Sequence, residues 1–146
     1  MEPGFFVRNY TETDFPEMIM LWEALGLGGA HRGDDSQVIA RTLQMGGQLL
    51  LLVEQVSGKI IGTSWLTVDG RRTYIHHFGI HSHYQGRRLA KVLLDASLKL
   101  AKTFGMQIKL EVHKDNAKAI SLYAKSGFVS LGDYQVYIIR DISAIY

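Results

Sequence analysis

The segment Gln85-Gly86-Arg87-Arg88-Leu89-Ala90 separates two stretches of sequence with different hydrophobic periods. Before it, Thr73 to Ile80 is rich in β-branched and aromatic residues, which favours a strand. From Gly86 to about Phe104 apolar residues recur at helical spacing, which predicts a helix. A helix that begins directly after a strand presents unpaired backbone N–H groups and the positive end of its dipole. The segment therefore predicts an α/β fold with a turn suited to binding phosphate.

The remaining hydrophobic patterns and turn signals predict a single domain over residues 1–146. Two helices follow a short first strand, and a meander of three antiparallel strands precedes the turn. The expected architecture is a central mixed, mostly antiparallel sheet with helices on both faces, in the order β-α-α-β-β-β-α-β-α-β-β. The strand that ends at Ile80 and the strand Gln107 to Val112 form a parallel crossover in this scheme. The last two strands are expected at Phe128 to Leu131 and Tyr134 to Arg140.

Composition and charge favour a cytoplasmic protein that binds neither nucleic acid nor membrane. The sequence has no cysteine, which excludes disulfides and thiolate metal sites and fits a reducing compartment. Its longest unbroken apolar run, Leu49 to Val53, is far shorter than the about 20 residues of a membrane-spanning helix. The N-terminus has no basic region followed by an apolar one, so we expect no secretory signal. A formal net charge of +2 is too small to indicate nucleic-acid binding.

Two features of the sequence point to group transfer from a phosphate-bearing carrier. Arg87, Arg88 and Lys91 can add charge-assisted contacts to a phosphate, although a solvated first helical turn would explain the same residues. Asn116 and Tyr123 are seven residues apart, so an amide and a phenol lie on one face of a helix. A tyrosine at helical spacing is equally typical of a packed core. The two features together favour the functional interpretation.

The turn resembles that of the GNAT superfamily of acyl-CoA-dependent N-acetyltransferases, and the likeness extends over the whole chain. In that family a Gln/Arg-x-x-Gly-x-Gly/Ala turn holds the pyrophosphate of coenzyme A. Gln85, Leu89 and Ala90 match the turn at their spacing, whereas Arg88 occupies the position of the usual central glycine. The resemblance implies acetyl-CoA as cosubstrate, bound by the backbone of the segment from Gln85 to Ala90. A helical residue keeps its N–H group, so this cradle survives if the Arg88 side chain points outward.

A second, longer match lies near the C-terminus. The residues that carry it are Leu110-Glu111-Val112, Asn116, Ala119-Ile120, Leu122-Tyr123 and Gly127-Phe128. They resemble the family segment L-E-V … N-x-x-A-I-x-L-Y-x-x-x-G-F, notably as in bacterial ribosomal-protein alanine N-acetyltransferases. The resemblance implies that Asn116 hydrogen-bonds the pantetheine arm. It also implies that Tyr123 lies near the cofactor sulfur and protonates the departing thiolate.

The resemblance also supplies two candidates for the catalytic base. His76 matches a catalytic-cleft histidine of serotonin N-acetyltransferase, and Glu111 matches the proposed proton acceptor of the ribosomal-protein enzymes. Each has a structural explanation as well, as a histidine on a strand face or a glutamate paired with a lysine. Strand alternation predicts that His76, Phe78 and Ile80 share one face and that His77 lies on the other. Backbone N–H groups of Phe78, Gly79 and Ile80 are expected to hydrogen-bond the thioester carbonyl.

The expected reaction is direct transfer of an acetyl group from acetyl-CoA to a primary amine in a ternary complex. Without a cysteine or a serine in a nucleophile elbow, a covalent acyl-enzyme has no obvious carrier. No metal is expected, since no carboxylate lies near His81 and His83 in the sequence. The alternative is a non-catalytic acyl-CoA-binding sensor of the same fold, for which Arg88 is the only support.

The acceptor amine stays open at this stage. In the family it is set partly by the segment between the first two strands, here Trp22 to Met45. Glu23, Asp34 and Asp35 in this segment are able to attract a cationic amine, but helix capping explains Asp34 and Asp35 equally well. Small-molecule amines and peptide or protein amines are both compatible with the sequence. So are a longer acyl donor and a homodimer.

Overall fold

The computed structural model of the protein describes residues 4–28 and 33–145. Within these residues the chain forms five strands and four α-helices. Their bounds are β1 Phe5–Asn9, α1 Phe15–Leu25, α2 Ser36–Gln44, β2 Gln48–Glu54, β3 Ile60–Val68, β4 Arg72–Ile80, α3 Leu89–Phe104, β5 Gln107–Leu110 and α4 Ala117–Lys125.

The five strands form one mixed sheet in the order β1-β2-β3-β4-β5. Neighbouring strands are antiparallel from β1 to β4, whereas β4 and β5 are parallel and are connected through α3. This confirms the predicted meander and the predicted β-α-β crossover. Helix α3 follows β4 in the crossover, so its N-terminus comes after the carboxyl end of β4. Open α/β sheets commonly bind ligands at the carboxyl ends of their strands.

Helices cover both faces of the sheet, as expected. Alternate residues of β2 enter two separate apolar clusters, because successive side chains of a strand point to opposite faces. The first cluster packs α1 and α2 against the sheet and includes Trp22, Ile39, Leu51 and Trp65. The second cluster packs α3 against the other face and includes Leu52, Ile61, Ile80, Leu89 and Leu93. All of these side chains are buried.

A β-bulge interrupts β4 at His77. Thr63 on β3 is opposite Gly79 and Trp65 is opposite His76, so β4 has one residue more than β3 across this step. His77 adopts a left-handed backbone conformation with φ 47°. The extra residue changes the alternation. His76 and His77 both contact Trp65, in the first cluster, whereas Phe78 packs against the second. The prediction that His76 shares a face with Phe78 and Ile80, opposite His77, is therefore wrong.

The chain divides into two compact units, Met1–Glu111 and Val112–Tyr146. The first contains the whole sheet and helices α1 to α3, and the second contains α4. The two strands predicted between Phe128 and Arg140 are absent from this described part of the chain. Apolar side chains such as Val129, Tyr134 and Tyr137 are largely exposed there. Strand propensity reflects packing on a pleated surface, and without a hydrogen-bonded neighbour the propensity of this segment forms no strand.

No helix in residues 4–28 and 33–145 is both long and apolar enough to cross a membrane.

Candidate active site

The sheet opens at His76. Strand β5 pairs with β4 only from Arg72 to Ile75, and the last pair in register is Ile75 with Leu110. Strand β4 continues to Ile80, beyond the end of β5. The edge of β4 is therefore paired with β5 only at the start of β4, and it is not paired with β5 along the bulge. Both histidines and the Phe78–Ile80 segment lie in this part of the strand.

The turn after β4 is held in place by the side chain of Gln85. The Gln85 amide Nε2 donates a hydrogen bond to the Ile80 carbonyl at 2.9 Å. Gly86 and Arg88 both adopt left-handed conformations, with φ 80° and φ 60°. Helix α3 consequently begins at Leu89. Its first hydrogen bond is donated by the Val92 N–H to the carbonyl of the N-cap residue Arg88, at 3.2 Å. The predicted helix start at Gly86 is three residues too early, because the turn needs these two left-handed residues.

Arg88 is thus the N-cap of α3 and not a helical residue, which corrects the expectation for it. A left-handed backbone is open to glycine at no steric cost but costs other residues roughly 1–2 kcal/mol. The left-handed backbone at residue 88 explains why a glycine is favoured at this position. The cap makes no side-chain hydrogen bond to the helix. The N–H groups of Leu89, Ala90 and Lys91 have no acceptor within α3, as at any helix start.

The basic side chains near the turn have partners of their own. The Arg87 guanidinium lies over the Phe5 ring at 5.0 Å and over the Tyr84 ring at 5.9 Å. Lys91 pairs with Asp95 one helical turn later, with Nζ 2.6 Å from Oδ2. Contacts of this kind at the surface are weak, so they leave both cations able to turn to an anion at the turn.

A cavity of about 250 Å³ lies beside the bulge on the α2 side of the sheet. Its lining combines one carboxylate, two imidazoles, one indole and two hydroxyls, from Asp34, His76, His77, Trp65, Thr42 and Thr67. Asp34 Oδ2 is 2.7 Å from His77 Nε2. The neighbouring Asp35 caps α2 by accepting from the Val38 N–H at 2.9 Å. Helix capping therefore explains Asp35 but not Asp34.

His76 is well suited to accept a proton. Its Nε2 is 2.8 Å from the Thr67 hydroxyl, and its ring contacts those of Trp65 and Tyr74. Solvent reaches the His76 side chain, yet the neighbouring groups displace enough of its hydration to lower its pKa from 6.5. Desolvation is the largest cause of the lower pKa and the charge of His77 the next, whereas Asp34 and Glu111 act in the opposite direction. At neutral pH the imidazole is therefore mostly uncharged.

A buried hydrogen-bond relay holds the bulge. Trp22 Nε1 donates to Thr63 Oγ1 at 2.9 Å, and the Thr63 hydroxyl donates to the His77 carbonyl at 2.6 Å. Trp22 and Thr63 are both fully buried. A side chain at Gly28 would collide with the His77 ring and the Asp34 carboxylate, so the chain passes directly against these two hydrogen-bonded side chains. Trp22, Thr63 and Gly28 are not among the predicted site residues, because no motif or spacing links residues so far apart.

The second unit contains the other two predicted site residues. Asn116 is the N-cap of α4, and its Oδ1 accepts from the Ala119 N–H at 3.2 Å. Its amide Nδ2 is a donor and is not used in this cap. Tyr123 is buried and packs edge-on against Phe128, with the ring centroids 5.7 Å apart. Burial raises the pKa of Tyr123 to about 12. The phenol therefore keeps its proton throughout the physiological range.

Glu111 follows β5 directly and is exposed, in the same unit as His76. Two of the residues predicted to bind the thioester carbonyl are closely surrounded. Ile80 is buried, and a Cβ added at Gly79 would be 3.1 Å from the side chains of Leu25 and Leu27. The described residues include no group of three or more histidine, aspartate and glutamate side chains able to hold a metal ion. His81 and His83 contact each other, with ring centroids 5.0 Å apart, and the His81 Nδ1 accepts from the His83 N–H.

Comparison with known proteins identifies the family. The family model described as Acetyltransferase (GNAT) family matches residues 14–128. This chain belongs to the GNAT acetyltransferases. The match spans the bulge, the turn after β4 and helix α4, and it confirms the resemblance drawn from the sequence.

Solved structures of GNAT acetyltransferases share the fold. A GNAT-family acetyltransferase from Staphylococcus aureus Mu50 is 20% identical with a TM-score of 0.77, and the match covers 90% of this chain and 89% of that chain. Glucosamine-6-phosphate N-acetyltransferase from Arabidopsis thaliana is 19% identical with a TM-score of 0.76, over 94% and 99% of the two chains. Ribosomal-protein-S18-alanine N-acetyltransferase from Escherichia coli is 19% identical with a TM-score of 0.70, over 84% and 76%.

GNAT acetyltransferases use acetyl-CoA as cosubstrate. The turn of this chain fits the pyrophosphate part of that molecule. The helix start supplies N–H donors and a positive dipole end. Apart from Gly86 and its two chain neighbours, no described residue has an atom within 4 Å of a Cβ built on Gly86, so the backbone there is open to a close approach.

Proposed function

We propose that this protein is an N-acetyltransferase that moves an acetyl group from acetyl-CoA directly to a primary amine in a ternary complex. The observation that carries the proposal is the arrangement along β4. An uncharged histidine beside a cavity, a strand segment beyond its pairing with β5, and a phosphate-binding turn follow one another from His76 to Ala90. The family model matches residues 14–128 and so crosses the boundary between the two compact units, which supports a single N-acetyltransferase domain over residues 1–146.

The backbone of Gln85, Gly86, Arg87, Arg88, Leu89 and Ala90 binds the pyrophosphate of acetyl-CoA in this proposal. The hydrogen bond from Gln85 to Ile80 fixes the turn before the cosubstrate arrives, which lowers the ordering cost of binding. The Asn116 amide hydrogen-bonds the pantetheine arm. Backbone N–H groups of Phe78, Gly79 and Ile80 donate to the thioester carbonyl, whose oxygen gains negative charge as the amine attacks.

The acceptor enters as an ammonium ion and must lose a proton before it can attack. His76 takes this proton, because its lowered pKa leaves the imidazole uncharged at neutral pH. The amine nitrogen then forms a bond to the acetyl carbon, the carbon–sulfur bond breaks, and the thiolate of coenzyme A leaves. The nitrogen is positively charged after its attack and loses its second proton to solvent, which leaves the neutral amide. Tyr123 donates its phenolic proton to this thiolate, and solvent returns a proton to Tyr123. Glu111 is the second candidate for the base.

The test is a thiol-release assay with acetyl-CoA and a panel of small and peptidic primary amines. An N-acetyltransferase releases coenzyme A at a rate that depends on the amine. A non-catalytic sensor of the same fold binds acetyl-CoA in calorimetry but releases no thiol with any amine. Absence of acetyl-CoA binding at millimolar concentration would overturn both functions.

A further inference from the structure

We propose that the cavity beside the β4 bulge receives the acceptor, and that Asp34 selects a small primary amine by pairing with its ammonium group. The inference rests on the proposed function, because it names the class of acceptor for that reaction. It excludes peptide and protein amines as the preferred substrates.

The charge of the cavity favours a cation. Asp34 is the only acid among the described residues that line it. Its carboxylate is half-buried and already pairs with His77 through Oδ2. A carboxylate offers two oxygens and about four lone-pair positions, so it can accept from His77 and from an ammonium group at once. Since Asp35 makes the helix cap, Asp34 has no structural duty in α2.

The size of the cavity favours a small molecule. A protein cavity of about 150 Å³ holds benzene, and drug-sized ligands occupy pockets of about 300–1,000 Å³. The cavity is open to solvent, and its volume of about 250 Å³ takes up one ring or a short alkyl chain together with an aminomethyl group. A peptide would place only its first residue there and gain no further contact from the cavity.

The walls of the cavity favour an apolar body next to the ammonium group. Trp65 is buried, and its Nε1 donates to the Thr42 hydroxyl at 3.0 Å, so the polar edge of the indole is already satisfied. The exposed part of its ring adds apolar surface to the lining of the cavity. The Thr42 hydroxyl donates in turn to the Ile39 carbonyl at 2.8 Å, which keeps this wall in place.

The position of Asp34 also suits the chemistry. Asp34 and His76 line the same cavity, so the carboxylate and the imidazole lie close to each other. An ammonium group paired with Asp34 is therefore held near the imidazole that removes its proton. The proton passes to His76, and the neutral amine leaves the carboxylate to attack the acetyl carbon. Asp34 is a specificity-determining residue in this scheme and does not itself take the proton.

The experiment compares Asp34→Asn with the matched control Asp35→Asn. Both changes remove one negative charge, and asparagine caps a helix as well as aspartate does. Steady-state kinetics are measured with benzylamine, butylamine and an alanine-led hexapeptide as acceptors. We expect Asp34→Asn to raise the KM for the two small amines by about tenfold or more, as for the loss of a charged hydrogen bond. The kcat, the KM for acetyl-CoA and the Asp35→Asn variant should stay near wild type.

A conservative variant isolates the contribution of the Asp34 charge. Asp34→Glu keeps a carboxylate at this position, so it should raise the KM for the small amines less than Asp34→Asn does. An equal rise in KM with Asp34→Glu and Asp34→Asn, equal effects of Asp34→Asn and Asp35→Asn, or a preference for the hexapeptide would overturn the inference. If wild type transfers no acetyl group, the proposed function fails. Calorimetry of benzylamine with the CoA-loaded protein then decides the inference alone, by whether binding requires Asp34.

Discussion

The Thr63 hydroxyl donates to the His77 carbonyl at 2.6 Å, across the step where β4 contains an extra residue. The same Thr63 oxygen accepts the indole N–H of Trp22 from α1. One buried side chain thus connects a helix to a left-handed residue of the neighbouring strand. This connection is what brings His76 and His77 to the same side of the sheet, next to Asp34.

The relay predicts a loss of stability when the Thr63 hydroxyl is removed. Thr63→Val keeps the β-branched shape but leaves the Trp22 N–H and the His77 carbonyl without their partner. We expect it to lower the free energy of unfolding by about 1–3 kcal/mol, the cost of unsatisfied buried polar groups. Thermal and urea denaturation measure the change.

Thr73→Val is the matched control for this prediction. Thr73 is as buried as Thr63, but its Oγ1 has no hydrogen-bond partner among the described residues. Burying an unpaired hydroxyl is unfavourable, so this variant should be as stable as wild type or more so. Equal destabilisation by the two variants would mean that the relay contributes nothing beyond packing.

The assignment of His76 as base predicts a particular pH profile. His76→Gln should lower kcat by about 10²–10⁴-fold with acetyl-CoA affinity retained, as for the loss of a general base. In wild type the rate should fall as pH drops below a pKa lower than 6.5, because protonation removes the base. Steady-state rates between pH 5 and pH 8 show whether this acid limb is present in wild type and lost in the variant.

Glu111→Gln separates the two base candidates. The charge of Glu111 raises the pKa of His76, so removing that charge should move the acid limb to lower pH and leave the plateau rate near wild type. A plateau reduced by about 10²-fold or more would instead make Glu111 the base. Near-full rates in both variants would show that the amine loses its proton to solvent.

Arg88→Gly tests the left-handed cap of α3. Glycine adopts φ 60° without steric cost, whereas arginine there bears roughly 1 kcal/mol or more, partly offset by the greater chain entropy of glycine when unfolded. We expect the variant to be as stable as wild type or slightly more so, with acetyl-CoA affinity within about tenfold. Arg87→Gly is the contrasting variant. It removes the contact of the Arg87 guanidinium with the Phe5 ring, so we do not expect it to gain stability. A much larger loss of affinity with Arg88→Gly would make the Arg88 side chain itself a ligand.

Tyr123→Phe tests proton donation to the thiolate. The phenol keeps its proton because burial raises its pKa to about 12, and phenylalanine preserves the packing on Phe128. We expect kcat to fall by about 10²-fold or more with the thermal midpoint nearly unchanged, since thiolate charge develops only in the transition state. Tyr137→Phe in the same unit changes an exposed phenol and should have no effect. Normal turnover of Tyr123→Phe would make Tyr123 a core residue.

The parts of the fold that depend on local sequence could be predicted. The meander, the crossover and the turn from Gln85 to Ala90 follow from hydrophobic period and glycine positions, which are read over a few neighbouring residues. The family resemblance rests on the same turn and on the segment from Leu110 to Phe128. Both are continuous stretches, so a single sequence is enough to find them.

The arrangement of the cavity could not be predicted in this way. The bulge at His77 depends on hydrogen bonds from Thr63 and Trp22, which are distant in the sequence, and one extra residue reverses the predicted faces. Asp34 and Asp35 are chemically identical neighbours, and only the tertiary contact of Asp34 with His77 distinguishes it from Asp35, which caps α2. The segment from Phe128 to Arg140 has the composition of strands, but composition does not supply a pairing partner.

The most direct test of direct acetyl transfer follows a carbon label. The protein is incubated with ¹³C-acetyl-CoA, with and without benzylamine, and the intact protein and the amine are weighed by mass spectrometry. We predict label on the amine, one free coenzyme A thiol for each labelled amine, and no label on the protein when the amine is left out. Label on the protein, or bound acetyl-CoA that acetylates neither benzylamine nor any other amine of the panel, would contradict direct transfer to an amine.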